Sequence, residues 1–473
     1  MSACLAWGMR VGTGPTGRRR AATAATAATA AMAATVALAS LLMSVDLGAP
    51  AATAGSRPDT RGAAHGAAAM AAFAGKAAGS WSAPVTLGRG SWMSLTAGRT
   101  ATTLVWAAAD FSKDGPIHAR SRPAGKGWER PQELGPPGGT YAAVGSNRLG
   151  LTVAAWYARA QRRMLVARRP SGGPWQPAVV MDRRVPVGRL AVGPYVAVSD
   201  SGAVLVWWDE EIEGDCDNWW SYLAYSTASG AWESPHEVGD GSCDGGLADA
   251  AIGARGNVNV AYRTRDGLRF TRRVLNRGWT PARVLTRSTA RFGPVLMRTP
   301  RGGTLVVAWQ RGDETAFEAR RRIDGRWGPI HVWAKQDGFE SSWDAAMDDR
   351  GNATLGWSVE AGVIKVRRWP RRGPVGGQQT LVDEPADSLD APVSPVQVAV
   401  GGGAAAAVVP YFVDFGKHAG LHLLYRRTSG DWVVEPVLKT NQPADYRLAI
   451  SPSGTVHVAW AAHRRLRYST LTP

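Results

Sequence analysis

From residue 80 onward, apolar and polar positions alternate with period two in short runs separated by glycine-bearing turns. The clearest copy spans Ala248 to Leu285. Val258, Val260 and Tyr262 alternate there with polar or small residues, the pattern of a half-buried strand. Four strands are predicted in this copy, over Ala250–Ala254, Asn257–Tyr262, Leu268–Val274 and Trp279–Leu285. Arg255-Gly256 joins the first pair and Asn276-Arg277-Gly278 the last, since tight hairpins need the positive φ that glycine tolerates.

Two markers repeat along the chain. A Trp followed closely by Pro occurs at Trp81/Pro84, Trp128/Pro131, Trp175/Pro177, Trp232/Pro235, Trp279/Pro281, Trp327/Pro329 and Trp432/Pro436. Successive Trp lie 47, 47, 57, 47 and 48 residues apart, then 105 across a degraded copy near Gly376–Val382. Strands ending in an aromatic give the same count of eight: Trp106, Trp156, Trp207, Tyr262, Trp309, Trp357, Tyr411 and Trp460. Most follow a turn glycine (Gly202, Gly256, Gly303, Gly351, Gly454) by five or six residues. Four strands per repeat is the signature of a β-propeller blade. The ends are offset: the chain starts with a lone fourth strand at Trp81–Leu87 and finishes with three strands and no fourth. A closed ring is therefore predicted, with the N-terminal strand completing the last blade and removing two sheet edges. The fold class is all-β, a propeller of four-stranded blades, eight in number, or seven if one weak unit merges. Packing between blades accounts for the repeated tryptophans.

The N-terminus differs in character. Arg10 and Arg18–Arg20 precede an Ala/Thr-rich apolar stretch, and Ala52-Thr53-Ala54 fits a cleavage site. Residues 1–54 are read as an export signal of either the Sec or the twin-arginine type, 55–78 as an Ala/Gly-rich disordered spacer, and 79–473 as one propeller domain. The strongly apolar core is too short for the ~20 residues of a membrane span, so a secreted monomer without a stable membrane anchor is expected.

The net charge is +17, and only seven of the 55 basic residues are Lys. The arginines are spread over every repeat, often on the third strand, rather than clustered as nucleic-acid binding requires. No nucleic-acid partner is expected.

Strand order places the turns between strands one and two, and three and four, on one face of the ring. The longer connections fall on the other: Ala107–Ile117, Asp182–Pro194, Trp208–Ser221, Gly239–Leu247, His331–Ser342, Asp383–Pro395 and Phe412–Leu421. Binding concentrates where loops vary on a rigid scaffold. Cys216 and Cys243 lie in adjacent connections of that face and are expected to form a disulfide in an oxidising compartment.

The most unusual stretch, Trp207–Trp220, clusters Asp209, Glu210, Glu211, Glu213, Asp215 and Asp217. Calcium is one reading of such carboxylates, but the spacing is not that of an EF-hand, and a solvated acidic loop is expected instead, with no metal or other cofactor. Trp219 and Trp220 either stack on a sugar or pack this insertion onto the ring. Carboxylates available on the loop face are Asp110, Asp114, Asp249, Asp313, Glu314, Glu340, Asp344, Glu360, Asp414 and Asp445; arginines are Arg263, Arg265, Arg311, Arg447 and Arg464. The ligand-binding set singled out is Trp219, Trp220, Asp209, Glu211, Arg263, Arg311, Asp344 and Arg447. No G-x-S-x-G, H-E-x-x-H or phosphate-cradling glycine loop occurs.

The rhythm G-W-x-x-P-x-x-L with D-x-x-G-x-x-x-x-x-W, as in Asp348 to Trp357, resembles the sialidase-like (BNR-type) propeller repeats exported by actinobacteria. The resemblance covers roughly residues 79–473. The S-x-D-x-G-x-x-W Asp boxes of true sialidases are missing, because Ser199-Asp200-Ser201-Gly202 places Trp207 five residues after its glycine. The resemblance thus implies the fold more than the reaction. A non-catalytic propeller binding a glycan or protein through its loop face is the leading expectation. A sialidase-like glycoside hydrolase is the alternative, and a scaffold for protein assembly the second alternative.

Overall fold

The computed structural model describes residues 80–472, apart from segments 109–114, 213–214, 240–247, 289–293, 300–302, 312–315, 336–339, 360–362, 384–395, 402–403, 412–419, 428–431 and 439–444. The chain divides into the units Met1–Ala63 and Ala64–Pro473, and all that is described belongs to the second.

Every regular element among the described residues is a strand, and the strands form seven antiparallel sheets. Four sheets contain four strands in chain order, starting from Arg189–Val198, Val295–Arg298, Glu340–Met347 and Gln397–Gly401, and a fifth, starting from Ala248–Ile252, has its outermost strand split into Gly278–Trp279 and Arg283–Thr286. A sixth joins the two ends of the chain. Ser80–Trp81 and Val85–Arg89 both pair with Arg465–Thr472, which continues through Val456–Ala462 to Asp445–Ile450. The seventh runs through seven strands from Ser91–Ala97 to Val179–Arg184.

This is an all-β propeller. The expectation of eight separate four-stranded blades, or seven, is corrected: five blades are complete in that form. The cause is the strand Gln132–Ser146. Its first part pairs with Gly115–Pro123 and its second with Thr152–Ala158, so two repeats fuse into one sheet.

The first strands of successive repeats are stitched together by side chains. The backbone N–H of Val144 donates to Ser94 Oγ (3.1 Å), Leu296 to Asp249 Oδ2 (2.7 Å), Val398 to Asp344 Oδ2 (2.8 Å) and Leu448 to Gln397 Oε1 (3.2 Å). Met93 N–H donates to Asp445 Oδ2 (3.0 Å) across the junction of the chain ends. A first strand has one sheet edge without a strand partner, and these oxygens satisfy N–H groups on it.

The D-x-x-G rhythm has a mechanical origin. Asn147 Oδ1 accepts from the N–H groups of Leu149 and Leu151, and Asp348 Oδ1 from those of Arg350 and Asn352. Ser199 Oγ and Ser451 Oγ accept from Ala203 and Thr455 in the same way. Gly150, Gly202, Gly351 and Gly454 then turn the chain at φ of 93°, 87°, 88° and 87°.

Arginine on the third strand is also structural. Arg120, Arg320 and Arg367 each donate Nε to a carbonyl of their own third hairpin (Glu129, Gly328, Gly376). Each donates Nη1 to the last strand of the preceding repeat (Leu87, Leu285, Trp333). Much of the positive charge therefore binds one blade to the next.

The second-strand tryptophans Trp106, Trp156, Trp309, Trp357 and Trp460 are fully buried between repeats, whereas most Trp of the Trp-Pro marker are half-buried. Trp106 and Trp156 each lie on a glycine of the neighbouring fourth strand. A Cβ at Gly135 would sit 2.7 Å from Trp156 Cζ2, and one at Gly88 2.9 Å from Trp106 Cζ2. Gly135→Ala is expected to destabilise the ring by about 1–3 kcal/mol through overpacking, read as a lower urea midpoint at unchanged slope.

Candidate functional site

Three consecutive first strands share a defect near their starts, at the face of the longer connections. Ser91–Ala97, Gln132–Ser146 and Arg189–Val198 each lose register with the second strand, between Ser91/Ser94, Thr140/Ala142 and Val192/Pro194. The residues at the bulges adopt left-handed backbone: Trp92 (φ 52°), Tyr141 (φ 48°) and Gly193 (φ 54°). Glycine accepts this freely. For bulky aromatics it costs of order 1–3 kcal/mol each, and such strain gathers at functional sites. The two rings meet edge to face with centroids 4.6 Å apart, and both residues are half-buried.

Glu211 lies within electrostatic reach of Tyr141. Burial raises the Tyr141 hydroxyl pKa, the Glu211 charge adds to the rise, and Arg159 opposes it. Burial likewise raises Glu211 itself. Glu211 pairs in register with Leu190 on one side and Trp219 on the other. The mouth thus joins two strained aromatics, a carboxylate, an arginine and a half-buried tryptophan.

Trp207–Trp220 is a β-hairpin, not a solvated acidic loop. Val204–Ile212 and Asp215–Ser226 pair as far as Ile212 and Asp215, with Glu210 opposite Trp220. Two of its acids, Asp209 and Glu210, are held within the protein, while Glu213 and the side chains of Asp215 and Asp217 lie outside the described residues. Glu210 is fully buried, bonded by Arg183 Nε and Nη2 at 2.9 and 3.0 Å and by Trp208 Nε1 at 3.2 Å, with Arg189 Nη1 at 3.6 Å. Arg189 also covers the Trp220 ring at 3.6 Å, so Trp220 packs the hairpin down. Asp209 is buried and accepts from Ser221 Oγ; burial pushes its carboxyl well above the usual carboxylate range, against that bond.

The remaining predicted residues are spread. Arg263 is buried in the strand Val258–Thr264. Arg311 reaches Glu318 at 3.7 Å. Asp344 and Asp249 belong to the first-strand stitching, and Arg447 Nη1 bonds Asp445 Oδ1 at 2.6 Å. Asp110, Asp114, Asp313, Glu314, Glu360 and Asp414 lie outside the described residues, as do the side chains of Glu340 and Cys216. Cys243 is also outside, so the expected disulfide is too. Among the described residues no group of three or more His, Cys, Asp or Glu could hold a metal ion.

A second group lies on the first strands of several repeats. Tyr195 stacks on Trp207 at 5.3 Å; burial raises its hydroxyl, Asp209 and Asp249 add to this, and Arg447 opposes it. Burial raises Asp249 to about 6 and Asp344 to about 7, against the N–H bonds each accepts. A raised carboxyl favours the protonated folded state, so this contribution to stability is complete below the unfolded value of 3.8 and disappears as pH climbs through 6–7. His457 runs the other way: burial lowers it to about 4, so its contribution is lost as pH falls from 6.5 through 4. The melting temperature of Asp344→Asn is therefore expected to vary less between pH 4 and 7 than that of the parent, as measured by thermal melts.

Trp92, Tyr141 and Tyr195 were not singled out by sequence reasoning. The available signal was an aromatic near the start of a first strand that neither repeat marker explains.

The sequence matches no protein-family model and no curated protein. Solved structures do share its fold. It superposes on the BP39L lectin of Burkholderia pseudomallei with a TM-score of 0.50 at 12% identity, covering 75% of this chain and 99% of that one. The Dos1 propeller gives 0.50 at 9% identity, covering 82% of this chain and 93% of that one. These likenesses are of fold.

Proposed function

We propose that this chain is an exported, non-catalytic propeller that binds a glycan at the mouth formed by Trp92, Tyr141, Glu211 and Trp219. The observation that carries this reading is the pair of aromatics held side by side in left-handed backbone. Flat rings stack on the apolar face of a sugar, while Glu211 and Arg159 supply acceptors and donors for its hydroxyls. That a propeller of similar build is a lectin supports the reading. The signal-like N-terminus supports export to the extracellular space, and the Cys216–Cys243 pairing belongs to the same proposal.

A second reading has its own observation. Glu211 and Arg159 each lie within electrostatic reach of Tyr141, and a Tyr nucleophile with a carboxylate is one way to cleave a glycosidic bond. The full chain should be tested on a glycan array with fluorogenic sialosides and other glycosides alongside. Saturable binding without turnover is expected, with Trp92→Ala and Tyr141→Phe each weakening it about tenfold, equivalent to 1.4 kcal/mol. Turnover abolished by Glu211→Gln would replace binding with hydrolysis. Binding only to protein ligands would move the site's occupant to that class.

A further inference from the structure

The short-turn face carries arginines that hold backbone carbonyls, Arg298 that of Asn257 and Arg322 that of Gly325, but have no carboxylate to balance their charge among the described residues. Arg298, Leu305 and Arg322 stand opposite one another across three neighbouring strands, so both guanidinium groups leave the same face of that sheet. Ala251, Asn259 and Arg272 form a row on the preceding sheet. The two rows face each other across the cleft between the blades. Ala251 packs against the cluster containing Leu305, and Arg298 Nη1 donates to Asn257 O at 3.1 Å. All three arginines are half-buried and lie next to the hairpins at Gly253–Asn257, Val274–Gly278 and Asp324-Gly325.

These groups repel each other. Burial lowers Arg298 to about 10, with Arg272 and Arg322 adding to the shift; burial also lowers Arg322, with Arg272 and Arg283 adding. Among the described residues, no carboxylate lies within ion-pair distance of Arg272, Arg283, Arg298 or Arg322. Neighbouring arginines have partners of another kind: Arg273 pairs with the Glu233 carboxylate, and Arg320 holds two carbonyls. Arg272 Nε is buried without a hydrogen-bond partner. A protein does not gather half-buried like charges without cost, and an oxyanion is what a convergent set of guanidinium forks best accommodates.

We propose that the cleft lined by Arg272, Arg298 and Arg322 binds a tetrahedral oxyanion, a sulfate or phosphate group, at the opposite face from the aromatic mouth. The group is either a free anion or a substituent of an anionic polysaccharide. The site is independent of the glycan reading above, because no residue is shared.

The test uses the full chain, its Arg272→Gln/Arg322→Gln variant, and a charge-matched control, Arg184→Gln/Arg350→Gln, at two exposed positions. Binding of inorganic sulfate, inorganic phosphate and heparin is measured by calorimetry at fixed ionic strength. The cleft variant is expected to lose at least tenfold in affinity while the control stays within twofold. In buffer free of multivalent anions the cleft variant is expected to melt no lower than the parent, because it relieves repulsion. Binding of heparin and free anions together assigns the polymer-borne group; binding of sulfate or phosphate alone assigns the free anion. Equal weakening in the control would show diffuse charge only. Undiminished binding by the cleft variant, or its melting below the parent without anion, would overturn the site.

Discussion

A chain truncated to begin at Gly90 is expected to melt about 6 °C below the full chain and to self-associate. The truncation removes both N-terminal strands that pair with Arg465–Thr472. Leu87 is buried in the same cluster as Trp106, Leu466 and Tyr468, and loss of a core leucine costs about 2–5 kcal/mol. Ser82 N–H donates to Thr470 O, and Ser82 Oγ accepts from Thr470 N–H at 3.0 Å. Each such bond is worth about 1 kcal/mol. With a melting entropy of about 2.1 cal/mol/K per residue over roughly 390 residues, a total of about 5 kcal/mol corresponds to about 6 °C. The exposed Arg465–Thr472 edge then offers unpaired N–H and C=O groups to another chain. Differential scanning calorimetry with size-exclusion light scattering reads both effects. A truncated chain melting within about 2 °C of the parent would show that the ring is not closed by these strands. Should the truncated chain fail to express, Leu87→Ala carries the thermodynamic half of the prediction alone.

The same offset was legible in the sequence, because a repeat that starts at its fourth strand and stops at its third has one economical way to hide both edges. The strands themselves were legible for a related reason: period-two alternation and turn glycines are local and repeat in every copy. What escaped was anything set by how repeats meet. Gln132–Ser146 spans the boundary between two repeats, yet Gly135 and Gly139 let the backbone run on past Trp156 and Ile117 without interruption. The carboxylates of Asp249, Asp344 and Asp445 look like a catalytic inventory in one dimension. In three, each accepts an N–H from the next repeat. The left-handed backbone at Trp92 and Tyr141 has no signature in composition, since only the neighbouring strands force it.

Arg183→Met is expected to cost about 3 kcal/mol, far more than a surface arginine would. Its partner Glu210 is fully buried while Arg183 keeps a quarter of its side chain exposed, so removing the arginine strands a carboxylate in the core. Arg189 at 3.6 Å and the Trp208 N–H remain and hold the loss to the lower end of the usual 3–5 kcal/mol. Arg183 also lies over the Tyr222 ring at 3.5 Å, and methionine keeps part of that contact. Glu210→Gln added to Arg183→Met should recover at least half of the loss, because a neutral amide does not need the guanidinium. Urea unfolding of the two single variants and the double variant gives the coupling directly. Additive losses would mean that Glu210 is stabilised elsewhere. The consequence for binding follows from register: Glu210 precedes Glu211, and their cross-strand partners are Trp220 and Trp219. A hairpin loosened at Glu210 displaces the carboxylate and tryptophan of the mouth together. Glycan affinity is therefore expected to fall in Arg183→Met and to return in the double variant, although neither substituted residue belongs to the proposed binding set.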